Sequence, residues 1–342
     1  MSTRLKTCFV GCGHHATWTL YPCFQYFPEV ELAAVCDLDL ARAESTARQF
    51  AAGAAHTDFR KMLDEIRPEA LFCCGGPALH AHVIREALSR KLPLFVEKPP
   101  APTAAETLEL ASLSEQAGVP VVVAFMRRFA SLTEWSRRAV QNGEFGKLMS
   151  FYGKEGIWGT PKDTLVMDSG IHLIDLMNSF LGEPASVHAV MTSNGQERHA
   201  VAVTVTYQSG ALGQLSLNSL EHFDIPNNLV DIHGDRGQFI RIENWSKATW
   251  FRTNGGFGAP AEDPTKSSLT YEQPWNAANV NRSTVMQGYT GEIGHFLDCI
   301  KNHAPSRSNL RDGWQAMRVV EAINQSIQDN RTIHFSEKGV GA

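Results

Sequence analysis

Short apolar runs alternate with helix-length amphipathic segments through the first third of the chain. Thr7-Cys8-Phe9-Val10, Glu31 to Cys36, Ala70-Leu71-Phe72-Cys73-Cys74, Leu94-Phe95-Val96 and Val119 to Phe125 are short, β-prone and close to continuously apolar. Strands of a parallel sheet read this way when helices cover both faces. Helical segments follow each turn: one through Phe27, one through Phe50, and one from about His80 to Arg90. A fourth starts at the capping box Thr103-Ala104-Ala105-Glu106, runs to about Gln116 and stops at Gly118. The alternation predicts an α/β domain, a doubly wound parallel sheet of the Rossmann type, over residues 1–124.

From Met126 the grammar changes. Helical segments around Leu132 to Asn142 and Asp168 to Leu181 precede consecutive strands at Val187 to Met191, Val201 to Tyr207 and Ala211 to Leu217, with another at Phe151. Gly234-Asp235-Arg236-Gly237 signals a hairpin. Residues 125–342 are therefore expected to form a substrate-binding and oligomerisation domain, α+β with an open, mostly antiparallel sheet. Thr290 to Asn302 and Asn309 to Asp329 read as closing helices that pack back on the first domain. The face of the sheet without helices is expected to bury itself against another copy, as a homodimer or homotetramer. Thr253 to Gln287 has no period, and Trp275 and Asn276 within it are candidates to reach a substrate or a neighbouring subunit.

Composition narrows the partners. The 342 residues are 43% hydrophobic, which suits two domains with ample core, and the formal net charge is -5. No basic footprint points to nucleic acid or anionic lipid. No stretch reads as a signal peptide or membrane span, so the expectation is a cytoplasmic protein with a small-molecule substrate. The seven cysteines have neither zinc spacing nor a disulfide framework, and no metal is expected. Cys12 sits between two glycines but reads as filler, because the sequence offers it no base.

Gly11-Cys12-Gly13-His14-His15-Ala16, after a strand and before a helix, is a G-x-G-x-x-A turn of the kind that admits a pyrophosphate. The acid expected about twenty residues on is Asp37, placed to accept from the ribose hydroxyls of NAD and to repel a 2′-phosphate. NAD is thus favoured over NADP, while Asp39 suits a helix cap. Gly75-Gly76-Pro77 ends the fourth strand with room for a cofactor, and His80 follows it. Pro93 to Pro100 ends a strand in Glu97-Lys98-Pro99, at the end of the sheet where ligands bind, although an isolated Glu-Lys pair would be merely solvated. In the second half, Asp168 and His172 are four apart on a predicted helix, with Asp175 three further on. Histidine takes a hydroxyl proton near neutral pH and a carboxylate orients the ring. The competing reading is an acid at a helix start and one surface histidine.

Together the glycine turn, Glu97-Lys98-Pro99, Arg127-Arg128-Phe129, Asp168-x-x-x-His172-x-x-Asp175 and the closing helix with Tyr289, Gly291, Glu292 and Phe296 resemble the Gfo/Idh/MocA family. Its members include glucose-fructose oxidoreductase and inositol dehydrogenase, and the resemblance covers essentially the whole chain. It implies an NAD(P)-dependent oxidoreductase acting on a secondary hydroxyl of a sugar, sugar derivative or cyclic polyol. Carried over by position, Lys98, His172 and Asp168 form the catalytic set. Lys98 would polarise the reacting oxygen, His172 would act as general acid/base, and Asp168 would orient substrate or histidine. Gly11, Gly13, His14, His15, Ala16, Asp37, Gly75, Pro77, His80, Glu97, Lys98 and Arg127 would line the cofactor. Trp158 is the candidate to stack on a sugar ring beside Lys98, Asp168 and His172. A cis bond before Pro99 is also implied. The chain departs from the family pattern at Ala130-Ser131, where a proline is common, and at Gly75-Gly76-Pro77, commonly Thr-Pro or Asn-Pro. Two alternatives stay open: an NAD-dependent glycoside hydrolase working by transient oxidation and elimination, and a non-catalytic nucleotide or sugar sensor.

Overall fold

The computed structural model describes residues 4–195, 198–222, 225–252, 267–272, 283–336 and 339–340. Trp275 and Asn276 lie outside them. The chain divides into two units, Met1–Met126 with Gly288–Trp314, and Arg127–Gln287 with Gln315–Ala342.

In the first unit, β1 (Leu5–Val10), β2 (Val30–Cys36), β3 (Ala54–His56), β4 (Ala70–Cys73), β5 (Leu94–Glu97) and β6 (Val121–Ala124) form one sheet in the order β3-β2-β1-β4-β5-β6. Every pairing is parallel. The helices between them are α1 (Leu40–Phe50), α2 (Phe59–Ile66), α3 (Pro77–Ser89) and α4 (Ala104–Ala117). This is the expected doubly wound sheet, and β1 beside β4 marks the point where strand order reverses. Local chemistry sets the boundaries. Asp39 caps α1 by accepting from Arg42 N at 3.2 Å, and Thr103 caps α4 by accepting from Glu106 N at 3.2 Å. Gly118, at φ 63°, ends α4 in the left-handed conformation that favours glycine. The short β3 was not anticipated, since Ala54-Ala55-His56 carries no β-branched or aromatic signal.

From Met126 onward come α5 (Ser131–Val140), β7 (Leu148–Gly156), the single turn α6 (Lys162–Thr164), α7 (Ile171–Leu181), β8 (Pro184–Ser193), β9 (His199–Tyr207), β10 (Leu212–Asn218), β11 (Asn228–Gly234), β12 (Phe239–Glu243), β13 (Lys247–Phe251) and β14 (Ser268–Glu272). The chain continues through α8 (Ser283–Met286), α9 (Tyr289–Asn302), α10 (Leu310–Asp329), β15 (Ile333–Ser336) and β16 (Gly339–Val340). The second unit holds a ten-stranded sheet in the order β14-β13-β12-β11-β7-β10-β9-β8-β15-β16. Among the described residues only β7 with β10 pairs in parallel. Strict alternation along β9, with Val201, Val203, Val205 and Tyr207 buried, turns one face toward α7. Tyr207 donates to Asn178 Oδ1 of α7 at 2.8 Å, and Arg137 of α5 donates to Ser179 Oγ at 2.6 Å. The opposite face leaves Val190, Leu212 and Phe251 exposed.

The first unit's core is aromatic. Phe9 of β1 stacks on Tyr21 with centroids 4.2 Å apart, Phe72 of β4 lies 5.8 Å from Phe9, and Phe296 of α9 meets Phe72 edge-on at 5.2 Å. Each such pair adds about 0.5–1.5 kcal/mol beyond area burial. Phe296 thus fixes α9 against the sheet, which places Glu292, one turn earlier, in the interior.

Candidate active site

In the first unit the nucleotide end of the sheet is built around Gly11. Its φ is 105°, and a Cβ there would lie 1.8 Å from the Cys74 carbonyl oxygen, so only glycine fits. Gly13 has open space where a side chain would stand. Asp37, at the end of β2, accepts from Cys12 N at 2.9 Å and from Asp39 N at 3.0 Å. Two backbone donors therefore fix the carboxylate, and lone pairs remain for ligand hydroxyls. Arg42 Nη1 stands 3.4 Å from the same carboxylate. Cys12 is buried, with Sγ 3.6 Å from Tyr21 Oη, and burial raises its pKa. It fills space, as the sequence suggested. His14 and His15 are exposed, and the segment after them runs through a π turn, Ala16–Leu20.

His80 is fully buried. Its Nδ1 donates to the Pro99 carbonyl at 2.8 Å and its Nε2 accepts from Gly75 N at 2.8 Å. The two bonds fix one neutral tautomer, and burial lowers the ring's pKa. His80 thereby joins the turn after β4, where Pro77 opens α3, to the turn after β5. The Lys98–Pro99 bond is cis, as the resemblance implied.

Glu97 is buried at the end of β5. It accepts from His15 Nε2 at 3.0 Å and from Lys98 N at 3.0 Å. Burial pushes its pKa up, but the His15 bond and the charges of His15 and Lys98 outweigh that and leave it lowered. The same bond raises the pKa of His15 against the opposing effect of burial. Glu292 of α9 is a different case: 0% exposed, with no hydrogen-bond partner for either carboxylate oxygen among the described residues. Burial first, and the charge of Glu97 second, raise its pKa well above the usual carboxylate value. Burial thus favours the neutral acid form of Glu292. An acid whose pKa is higher folded than unfolded binds a proton on folding, so its stabilising contribution is complete at low pH and is lost as pH rises through the folded value. Glu292→Gln removes that loss. Thermal unfolding from pH 5 to pH 9 should show the variant gaining on the wild type as pH rises; a gain that does not grow with pH would show that Glu292 carries its charge in the folded state.

In the second unit, Asp168 lies in another π turn, Leu165–Gly170, which runs directly into α7 and His172. Such turns are rare and gather at functional sites. Asp168 is exposed and His172 half-buried. Asp175 does not share their setting: it is 0% exposed and takes a two-pronged bond from Arg128, at 2.7 Å to Nε and 2.6 Å to Nη2. Arg127 is also buried, with its guanidinium 4.1 Å from the Trp245 ring centroid and Nη2 3.7 Å from Glu155 Oε1. Trp245 supports it from a turn in which the tryptophan itself has φ 56°, an uncommon conformation for a bulky residue. Trp158, 46% exposed, carries the Arg198 guanidinium 3.7 Å above its ring.

The two units match known sequences separately. Residues 5–125 match a Gfo/Idh/MocA model described as an oxidoreductase family NAD-binding Rossmann fold, and residues 137–335 match the same family's C-terminal alpha/beta domain. The chain belongs to the Gfo/Idh/MocA oxidoreductase family. It is 24% identical over 345 residues to an uncharacterized oxidoreductase, YrbE, of Bacillus subtilis, covering 96% of this chain and 95% of that one. A D-xylose 1-dehydrogenase (NADP(+)) of Haloferax volcanii is 26% identical over 322 residues, 90% of this chain and 93% of the relative. A dehydrogenase from Chromobacterium violaceum has the same fold at a TM-score of 0.84, with 20% identity and 96% of each chain covered.

In this Gfo/Idh/MocA chain, no helix among the described residues is long and apolar enough to cross a membrane. Among those residues no cluster of three or more His, Cys, Asp or Glu side chains is placed to hold a metal ion. Sequence reasoning quoted Glu292 without assigning it a place. A signal was available: Glu292, Phe296 and Cys299 fall on one helical stripe, an acid among buried apolar positions. The Arg128–Asp175 pair carried no such signal across 47 residues of chain.

Proposed function

We propose that the chain is an NAD-dependent dehydrogenase acting on a secondary hydroxyl of a sugar, sugar derivative or cyclic polyol. The observation that supports this most directly is the anchored Asp37 carboxylate beside the open Gly13 turn, a donor and acceptor arrangement suited to an adenosine ribose and a pyrophosphate. Bound NAD would supply the hydride acceptor. The Gly11 to Ala16 turn, Asp37, Gly75, Pro77, Glu97 and Arg127 would hold it, with His14 and His15 at the exposed side of the turn. His80 would act by keeping the turns after β4 and β5 in register. Lys98 would hydrogen-bond the substrate oxygen, a ring nitrogen of His172 would take its proton, and Asp168 would orient the ring or a neighbouring hydroxyl. The sugar class follows from family membership and from the xylose-named relative. The exposed Val190, Leu212 and Phe251 face would be the homo-oligomer contact.

The test begins with denaturing the purified protein and identifying any released nucleotide. Sugars and inositols are then screened for reduction of added NAD. Turnover with one of them supports the dehydrogenase. Tightly held NAD without net reduction, together with release of an aglycone from a glycoside, would replace it with the hydrolase reading. Cofactor preference has its own check. Asp37→Ser removes the charge that repels a 2′-phosphate and leaves Arg42 beside the position. The ratio of kcat/KM for NADP to that for NAD should rise by about tenfold or more, equivalent to about 1.4 kcal/mol; an unchanged ratio would remove Asp37 from the ribose site.

A further inference from the structure

A cavity of about 760 Å³ lies within the second unit, lined by Trp158, Thr192, Ser193, Arg198, His199 and Leu220 among others. None of Lys98, Asp168 or His172 is among its lining residues, so it is not the place where the reacting carbon would sit. Its volume is in the range of ligand-binding clefts, and it opens broadly to solvent.

The strand register places it. β10 ends at Asn218, which pairs with Gly156 of β7 on one side and Ala200 of β9 on the other. Thr192 and Ser193 pair with Ala200 and His199 across the β8–β9 ladder. The cavity therefore sits on the joint ends of β7, β8, β9 and β10. The π turn that carries Asp168 packs on the same end: a Cβ on Gly170 would lie 2.6 Å from Leu217 Cδ1, one residue before Asn218. Trp158 is held on both sides by backbone, with Ile157 N donating to the Asn218 carbonyl at 2.8 Å and Gly159 N to the Ser219 carbonyl at 3.4 Å. His199 is 6% exposed, its backbone N donates to Ser219 Oγ at 2.8 Å, and its Nδ1 has no hydrogen-bond partner among the described residues. A half-exposed indole fixed at its base, a guanidinium stacked on it and the hydroxyls of Thr192 and Ser193 form a surface of flat apolar area with polar groups around it. That combination suits a sugar ring, which presents C–H faces and a rim of hydroxyls.

We propose that this cavity is a subsite for a second sugar, next to the one that is oxidised, so that the substrate is a disaccharide or glycoside and not a free monosaccharide. The inference rests on the dehydrogenase reading for what happens to the first ring. It stands on the cavity for the recognition of the second.

The experiment is isothermal titration of the full-length protein with cellobiose, maltose and lactose, each against D-glucose and D-galactose. The wild type should bind at least one disaccharide about tenfold or more tightly than either monosaccharide. Trp158→Ala removes the stacking face, and Ala200→Trp places a bulky side chain on the lining from β9; both should abolish the advantage, while His172→Ala keeps it. Equal binding of disaccharides and monosaccharides, or an advantage that survives in both cavity variants, overturns the subsite. Failure of the dehydrogenase reading is separately visible: disaccharide preference intact, but no reduction of NAD by the disaccharide that binds.

Discussion

His172→Ala is expected to lower kcat by about 10²–10⁴-fold, the range for removing a positioned general base, while leaving the affinity for NAD unchanged. Lys98→Met is expected to cause a comparable loss. The double variant is the more informative measurement. If both side chains act on one substrate oxygen, the second substitution removes an interaction that has already lost its purpose, and the combined loss should be close to the larger single loss. Two groups with separate tasks would give losses that multiply. Nucleotide binding, followed by quenching of protein fluorescence, guards against a trivial cause: a parallel fall in NAD affinity would place Lys98 in cofactor binding alone. Full multiplication of the two losses would sink the shared-oxygen mechanism.

The reason to expect the effect from these two residues lies in how each is held. Lys98 follows a buried β5 whose last residue, Glu97, accepts from its own neighbour's backbone N–H and from His15, so the strand end is pinned on both sides. His172 opens α7 directly after the Leu165–Gly170 π turn. Groups set on rigid elements keep the geometry that proton transfer needs.

How much of this could be read beforehand divides along physical lines. The five longer strands of the first unit were legible because a strand covered on both faces must be continuously apolar, and because glycine, proline and capping residues mark its ends. The Thr103 cap, the Gly118 stop and the hairpin at Gly234 to Gly237 followed from side-chain chemistry local to each position. What stayed hidden depended on distance or on backbone register. A helical projection groups Asp175 with Asp168 and His172. The π turn between residues 165 and 170 shifts Asp168 out of that projection, while Asp175, on the regular α7 with His172, is buried and bound to Arg128. Extra residues in a helical turn leave no mark in composition. The strands toward the two ends of the second sheet, β13 and β14 on one side and β15 and β16 on the other, were missed because short, partly polar segments are defined by the ladder they join and not by their own pattern.

Breaking the Arg128–Asp175 pair is the other change expected to matter most. Both side chains are nearly inaccessible to solvent, at 8% and 1% exposure, and both prongs of the guanidinium are used. Either single substitution, Arg128→Met or Asp175→Asn, removes one half of a buried two-pronged charge pair, which costs about 3–5 kcal/mol. Against a typical total of about 5–15 kcal/mol, that should move the urea midpoint far enough to be unmistakable. The pair need not be a net source of stability. Desolvating two charges roughly offsets their attraction, so Arg128→Met combined with Asp175→Leu should recover most of what either single change loses. Asp175 stands three residues after His172 on α7, so the single variants should also lower kcat by loosening the helix that carries the base, with little effect on NAD affinity. A single substitution costing less than about 1 kcal/mol, or a double variant as unstable as the sum of the singles, would mean that the bond does not hold α7 in place. His172 would then need another explanation for its fixed position.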